Sequence, residues 1–325
     1  MTRKFLHVVA AKGSKEQDDK SNMHISFQKR IRNYLTKIEE ISRFNSDPLF
    51  DAERHSKYSF MGKPKKYINT RIRVKIAHYY LLIKNMSLPR KVLLAVTSYN
   101  EPFYPDGKKT GLFYTEALHP YLTFVKAGFE VDIATETGTY GVDEHSVTDQ
   151  FLSEDDKKIY NDDSHPFNIL LNKKLHKASD LDPKQYGIFF GSAGHATLYD
   201  YPHAKGLIAI AEDIYSRGGI VSAVCHGPAI LPFVKDTKTG KPVIEGRTIT
   251  GFTTEGEVQM SILDKLKQDK VLTVEEHAAN VGAHYVAPSS PFADCSKTDG
   301  RVVTGANPAS AHSTADAAVA AFEKA

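Results

Sequence analysis

From residue 91 onward, short apolar runs alternate with longer segments that have helical periodicity. The runs have the length of strands, and several are apolar on both faces, as in a parallel sheet buried on both sides. The predicted strands are 91–97, 130–134, 186–190, 219–224, 283–287 and 301–304, and the predicted helices are 111–127, 203–217, 255–268, 273–281 and one from about residue 309. This alternation predicts an α/β fold with a doubly wound, mostly parallel sheet flanked by helices.

Two segments interrupt the alternation. Residues 139–185 are polar and carry only short helical patterns, so we interpret them as a cap segment inserted on the core. Residues 241–251 follow the turn signal Thr239-Gly240, and we expect them to form extended hairpin structure.

Residues 1–85 differ from the rest of the chain in charge. They hold 19 Lys and Arg against 8 Asp and Glu, a net of +11, whereas residues 86–325 have a net of −8. Two helices are predicted there, over about 24–43 and 66–84. A basic amphipathic helix can contact an anionic membrane or nucleic acid, but we favour an extension without chemistry. We expect it to be poorly ordered, or to precede the true start at Met86.

The composition of the 325-residue chain narrows its class. With 41% hydrophobic and 25% charged residues it is typical of a globular protein, which excludes a collagen, a coiled-coil rod and a wholly disordered chain. No run approaches the roughly 18 apolar residues that a membrane-spanning helix needs. Two cysteines exclude a disulfide scaffold and are consistent with a reducing compartment. We therefore expect a cytoplasmic protein, with the nucleus as a second location.

The strongest candidate for chemistry is Ala223-Val-Cys-His-Gly-Pro-Ala229, which joins a predicted buried strand to a helix. A nucleophile elbow places a Ser or Cys at such a turn, between small residues. The helix N-terminus would favour a thiolate, so the pattern predicts an exposed Cys225 with a lowered pKa. The alternative is a buried core cysteine. Cys295 lacks this setting and is expected to be a structural or surface thiol.

Carboxylates and histidines could complete this group. Glu116 lies on a partly apolar helix face, where burial would raise its pKa and suit it to proton exchange. Either Glu255 or Glu257 could orient the ring of His226, and spacing does not choose between them.

The loop Gly191-Ser-Ala-Gly-His195 follows another predicted strand. Its small residues would let backbone N–H groups at Gly194 face an oxyanion, with His195 lining the pocket. No metal-ligand spacing and no phosphate-binding glycine pattern is present, so we expect no metal and no cofactor.

Taken together, several motifs resemble the fungal heat-shock chaperone and glyoxalase branch of the PfpI superfamily. The resemblance runs from about Leu88 to the C-terminus. The motifs are Lys91-Val-Leu-Leu-Ala-Val-Thr-Ser-Tyr-Asn100, Asp106-Gly-Lys-Lys-Thr-Gly111, Glu116-Ala-Leu-His-Pro120, Ser192-Ala-Gly-His195, Ala223-Val-Cys-His-Gly-Pro-Ala229, Ile249-Thr-Gly-Phe252 and Asn307-Pro-Ala-Ser-Ala-His-Ser313.

The resemblance implies a flavodoxin-like fold, similar to class I glutamine amidotransferases, in a catalytic domain over residues 86–325. It implies a glutathione-independent glyoxalase that converts methylglyoxal, a 2-oxoaldehyde, and water to D-lactate. The family nucleophile falls on Cys225, its histidine on His226 and the third triad member on Glu257. The acid close to the thiol falls on Glu116.

The resemblance also implies a homodimer that binds a small-molecule substrate and neither nucleic acid nor membrane. The alternative function is a holdase chaperone or oxidative-stress protein, with protein deglycation as a related activity. Redox sensing and peptidase activity are further candidate functions. A glutamine amidotransferase is disfavoured because neither Glu276-His277-Ala278 nor His312-Ser-Thr supplies the late His-x-Glu pair that it needs.

Overall fold

The structure, a computed structural model, describes residues 88–325. The helices predicted over 24–43 and 66–84, and the extension that contains them, lie outside the described residues. Within the described part, no helix is long and apolar enough to cross a membrane.

A seven-stranded sheet forms the centre of residues 88–325. The strands, in chain order, are β1 (Lys91–Ala95), β2 (Glu130–Thr135), β3 (His176–Lys177), β4 (Ile188–Gly191), β5 (Ile220–Val224), β6 (Thr248–Ile249), β7 (His284–Tyr285), β8 (Ser296–Asp299) and β9 (Val302–Gly305). The order in the sheet is β3-β2-β1-β4-β5-β9-β8, and β6 and β7 form a separate parallel pair. Every pairing in the large sheet is parallel except β8 with β9. The predicted doubly wound, mostly parallel sheet is confirmed.

Helices cover both faces of this sheet. They are α1 (Tyr114–Lys126), α2 (Glu154–Tyr160), α3 (Pro166–Lys173), α4 (Thr197–Asp200), α5 (Lys205–Ser216), α6 (Thr254–Gln259), α7 (Leu263–Asp269), α8 (Val274–Asn280) and α9 (Ala311–Phe322). Alternate residues of β1 reach the two faces because successive side chains of a strand point to opposite sides. Val92 and Leu94 join the cluster formed with α1 and α9. Leu93 and Ala95 join the cluster formed with α5.

The inserted segment 139–185 contains α2, α3 and the edge strand β3. Phe167 and Leu171 of α3 are buried and join the same cluster as α1. The insertion is therefore packed on the core through its own apolar residues, and its end extends the sheet by one short strand, which the sequence pattern did not predict.

One local prediction holds only in part, and another is wrong. Around the turn at Thr239-Gly240, Lys235 and Pro242 form an isolated antiparallel bridge, and Val243 N–H donates to the Val234 carbonyl at 2.8 Å. The hairpin therefore involves only the first residues of 241–251, whereas Thr248–Ile249 pairs in parallel with β7. The helix predicted over 255–268 is two helices, α6 and α7, separated at Ser261, whose φ of 59° is left-handed and cannot continue a helix.

Candidate active site

Cys225 occupies a sharp turn immediately after β5. Its φ of 58° lies in the left-handed region, which is costly for a residue with a side chain, by roughly 1–3 kcal/mol. Two backbone hydrogen bonds hold it there: its N–H donates to the carbonyl of Gly305 at 2.9 Å, and its carbonyl accepts from Phe252 N–H at 2.8 Å. Gly227, two residues after Cys225, has no room for a side chain, because a Cβ there would lie 2.6 Å from the carbonyl oxygen of Gly191. The predicted elbow geometry is therefore present, followed by a seven-residue 3₁₀ helix over Gly227–Phe233.

The thiol of Cys225 lies against the imidazole of the next residue. Sγ is 3.2 Å from His226 Nδ1, and His226 Nε2 is 2.8 Å from Glu257 Oε1. Burial and the neighbouring imidazole of His195 lower the pKa of His226 to about 4, so the ring is neutral at pH 7. Its Nε2–H donates to the carboxylate, which leaves the lone pair of Nδ1 facing the thiol. His226 is thereby arranged as a base toward Cys225.

Glu257 reaches this position from the first turn of α6. Thr253 caps the helix, its hydroxyl accepting from Gly256 N–H at 2.8 Å. Burial by itself would raise the pKa of Glu257, but the imidazoles of His195 and His226 hold it well below its ordinary value. Glu255 points outward, is exposed and accepts from Gln259. Of the two candidates, the structure places Glu257 beside His226.

Glu116 in α1 is fully buried close to the Cys225 thiol. Within the described residues, neither carboxyl oxygen has a hydrogen-bond partner of normal geometry. Burial raises the pKa of the carboxyl from its ordinary value of 4.5 to about 8, and the nearby Cys225 thiol moderates this rise. A buried carboxyl without a hydrogen-bond partner is expected to be protonated or to bond to a ligand.

The expectation of an exposed thiol with a lowered pKa is wrong. Cys225 is 3% exposed. Burial raises the pKa of the thiol well above its ordinary value, and the adjacent Glu116 raises it further, while the N–H of His226 opposes the shift only in part. The helix that follows is 3₁₀ and short, so its dipole does not outweigh the loss of solvation. The resting group is therefore a thiol beside a base.

Gly194 and His195 lie beside this group, in the loop that follows β4. Gly194 has a φ of 130°, and a Cβ there would lie 2.1 Å from the carbonyl oxygen of Gly111. Among residues 88–325, the N–H of Gly194 has no hydrogen-bond acceptor, and the N–H of His226 has none other than the sulfur of Cys225. His195 is 4% exposed, and its Nε2 lies 3.0 Å from Glu257 Oε2. The predicted pocket role of these two residues stays a prediction; the contact with Glu257 was not foreseen.

Two further residues near the site were missed by sequence reasoning. Tyr104 Oη lies 3.3 Å from His195 Nδ1 and 2.8 Å from Asp143 Oδ2. Both are buried and lie in loops. Neither residue belongs to a local pattern, because the contact is created by loops 39 residues apart in the chain.

Two other histidines, His119 and His312, and the second cysteine, Cys295, are not bonded to the Cys225 group. The rings of His119 and His312 stack 4.3 Å apart and bind Asp156 and Thr123 instead. Cys295 is partly exposed, and its N–H donates to the Ser310 hydroxyl.

A metal could in principle be held by His195, His226 and Glu257, whose ligand atoms lie within 4.8 Å of one another. Both oxygens of Glu257 already accept hydrogen bonds from the two imidazoles. A metal would have to replace both bonds, so the arrangement fits a hydrogen-bonded network better than a ligand set.

The chain is similar along most of its length to fungal proteins named as glyoxalases. It is 55% identical over 233 residues to Glyoxalase 3 of Candida albicans, covering 72% of this chain and 98% of that protein. It is 54% identical over 227 residues to the glutathione-independent glyoxalase HSP31 of Saccharomyces cerevisiae, covering 70% of this chain and 95% of that protein. The crystal structure of glyoxalase III from Candida albicans matches with a TM-score of 0.71 at 54% identity, covering 74% of this chain and 99% of that one.

No protein-family model matches the chain. Identity above one half across nearly the whole of the fungal relatives nevertheless confirms the family that the motifs predicted. The chain belongs to the family of fungal glutathione-independent glyoxalases.

Proposed function

We propose that the protein converts methylglyoxal and water to D-lactate without glutathione, with Cys225 as the nucleophile. The observation that carries the proposal is the arrangement around the thiol. A neutral imidazole, His226, lies 3.2 Å from Sγ, and a buried carboxyl with a pKa of about 8, Glu116, is also close to the thiol. A nucleophile close to two proton carriers suits a reaction that moves hydrogen between adjacent carbons.

In the first step, Nδ1 of His226 takes the thiol proton and Sγ bonds to the aldehyde carbon of the substrate. The aldehyde oxygen gains a proton and becomes the hydroxyl of a hemithioacetal. Glu257 balances the positive charge that His226 carries during the transfer. The N–H groups of Gly194 and His226 are the candidate donors to the developing oxyanion.

In the second step, a base removes the hydrogen of the former aldehyde carbon, and a proton is returned to the former ketone carbon. The product of this rearrangement is a thioester with an adjacent alcohol, formed through an enediol. Glu116 is suited to the transfer because a pKa of about 8 leaves both of its forms accessible near neutral pH. Water then hydrolyses the thioester, releasing lactate and restoring the thiol.

The test is a stereospecific assay of D-lactate formed from methylglyoxal in the absence of glutathione. The parent is compared with Cys225→Ala, and Cys295→Ala is the matched control because it removes the other cysteine. We expect turnover in the parent and the control and none in Cys225→Ala. Turnover at the parental rate in Cys225→Ala would refute the role of Cys225.

The finer predictions are retained as proposals. A homodimer follows from the family resemblance, and light scattering tests it. A cytoplasmic location, with the nucleus as the second, follows from the cysteine usage, and cell fractionation tests it. Residues 1–85 are proposed to be dispensable for activity, which a chain beginning at Met86 tests. The holdase alternative predicts that Cys225→Ala still suppresses aggregation of a heated client protein.

A further inference from the structure

Glu257 is shared between two histidines. Oε1 accepts from His226 and Oε2 lies 3.0 Å from His195 Nε2. The side chains of His195 and Glu257 are 5% and 1% exposed, so water does not screen this contact. The imidazoles of His195 and His226 lie 4.2 Å apart, and Phe103 and Phe252 close their outer sides. The protonation state of His195 therefore directly affects that of His226.

Asp143 lies at the far end of the same network and is fully buried. Its Oδ2 accepts from Tyr104 Oη at 2.8 Å and from Thr110 Oγ1 at 3.0 Å. Its Oδ1 accepts from the backbone N–H groups of His145 and Ser146. All four bonds use a carboxylate oxygen as the acceptor, which is the role of an ionised carboxyl.

A count of the hydrogens available to these contacts bears on the protonation state of His195. Tyr104 has one hydroxyl hydrogen and donates it to Asp143, so toward His195 Nδ1, at 3.3 Å, it offers only a lone pair. That contact is a hydrogen bond only if Nδ1 carries a proton. Nε2 must also carry one to donate to the carboxylate of Glu257. A ring in which both nitrogens are donors is an imidazolium.

We propose that His195 is a positioning residue that Tyr104 and Asp143 hold as an imidazolium, so that its charge offsets Glu257 and keeps His226 a neutral base. The groups that face His195 are Glu257 from α6, Tyr104 from the loop after β1 and His226 from the elbow. A fully uncompensated Glu257 would stabilise the protonated form of His226. An adjacent cation opposes this, in agreement with the direction in which His195 shifts the pKa of His226.

The variant Tyr104→Phe tests the proposal, since it removes the hydroxyl and keeps the ring. Without that acceptor, His195 loses its second proton and Glu257 acts fully on His226. The acid limb of the kcat/KM profile then contains two pKa values, that of Glu116 at about 8 and that of His226 at about 4. We expect the lower of the two to move to higher pH by about one unit. Tyr186→Phe is the matched control: it removes another tyrosine–aspartate hydrogen bond, to Asp132, which Lys91 still neutralises.

The second measurement is the ¹⁵N spectrum of histidine-labelled protein, with His195 assigned by its absence in His195→Gln. The parent should show His195 protonated on both nitrogens at pH 7, and Tyr104→Phe should show a single neutral tautomer. The kinetic arm rests on the proposed glyoxalase reaction and the spectrum does not, so a failure of one is distinguishable from a failure of the other. A neutral His195 in the parent, or coincident acid limbs in Tyr104→Phe and Tyr186→Phe, would overturn the proposal.

Discussion

The free energy of unfolding of Glu116→Gln, relative to that of the parent, should increase as pH rises above 5. The carboxyl is fully buried, and burial raises its pKa from 4.5 to about 8. The folded state therefore keeps a proton that the unfolded chain releases near pH 4.5. Stability that this proton confers is complete below pH 4.5 and is lost as pH rises toward 8. Glutamine stays neutral and has no such loss.

The size of this change in unfolding free energy follows from the interval between the unfolded and folded pKa values of Glu116. Each pH unit between the two pKa values corresponds to 1.36 kcal/mol, so the interval from pH 5 to pH 8 amounts to about 4 kcal/mol. The free energy of unfolding of Glu116→Gln minus that of the parent should grow by about this amount over that interval. Cys225 titrates above it and does not interfere below pH 8.

The assay is urea unfolding of the parent and Glu116→Gln at pH 5, 6, 7 and 8. Turnover of methylglyoxal by the same proteins should fall in the variant, by roughly 10²–10⁴-fold, because a general acid–base group is lost. A difference in unfolding free energy that stays constant from pH 5 to pH 8 would refute the raised pKa. Parental turnover in the variant would instead refute the role of Glu116 in proton transfer while leaving its pKa intact.

Three further results are expected. Glu257→Gln should lower kcat at least 10-fold, whereas Glu255→Gln, the matched control in the same helix, should not; equal losses in both would contradict the assignment to Glu257. Alkylation of Cys225 by iodoacetamide, followed by mass spectrometry, should rise with pH beyond 8 because burial raises the thiol pKa, and a plateau reached by pH 7 would disprove this shift. Gly227→Ala should destabilise the protein by roughly 1–3 kcal/mol in urea unfolding, since the added Cβ would lie 2.6 Å from a carbonyl oxygen; an unchanged midpoint would show that the elbow relaxes freely.

The sheet and the elbow were predictable because their signals are local. The apolar run of β1 and the small residues around Cys225 specify a buried strand and a tight turn within a few residues. The state of the thiol was predicted wrongly, since its burial and the approach of Glu116 depend on α1, more than 100 residues earlier in the chain. Spacing alone did not separate Glu257 from Glu255, and the family resemblance was needed.

The contact of Tyr104 with Asp143 had no sequence signal at all. Their loops meet through the packing of the insertion on the core, and residues that meet in this way show neither a period nor a motif.

The left-handed backbone of Cys225 makes the site depend on the C-terminal end of the chain. The acceptor that holds its N–H is the carbonyl of Gly305, in the last strand of the chain, and the donor to its carbonyl is Phe252. The strand that contains Gly305, β9, is itself held in the sheet by parallel pairing with β5, the strand that leads into Cys225. The conformation of the elbow and the attachment of β9 to the sheet are thus one structural unit.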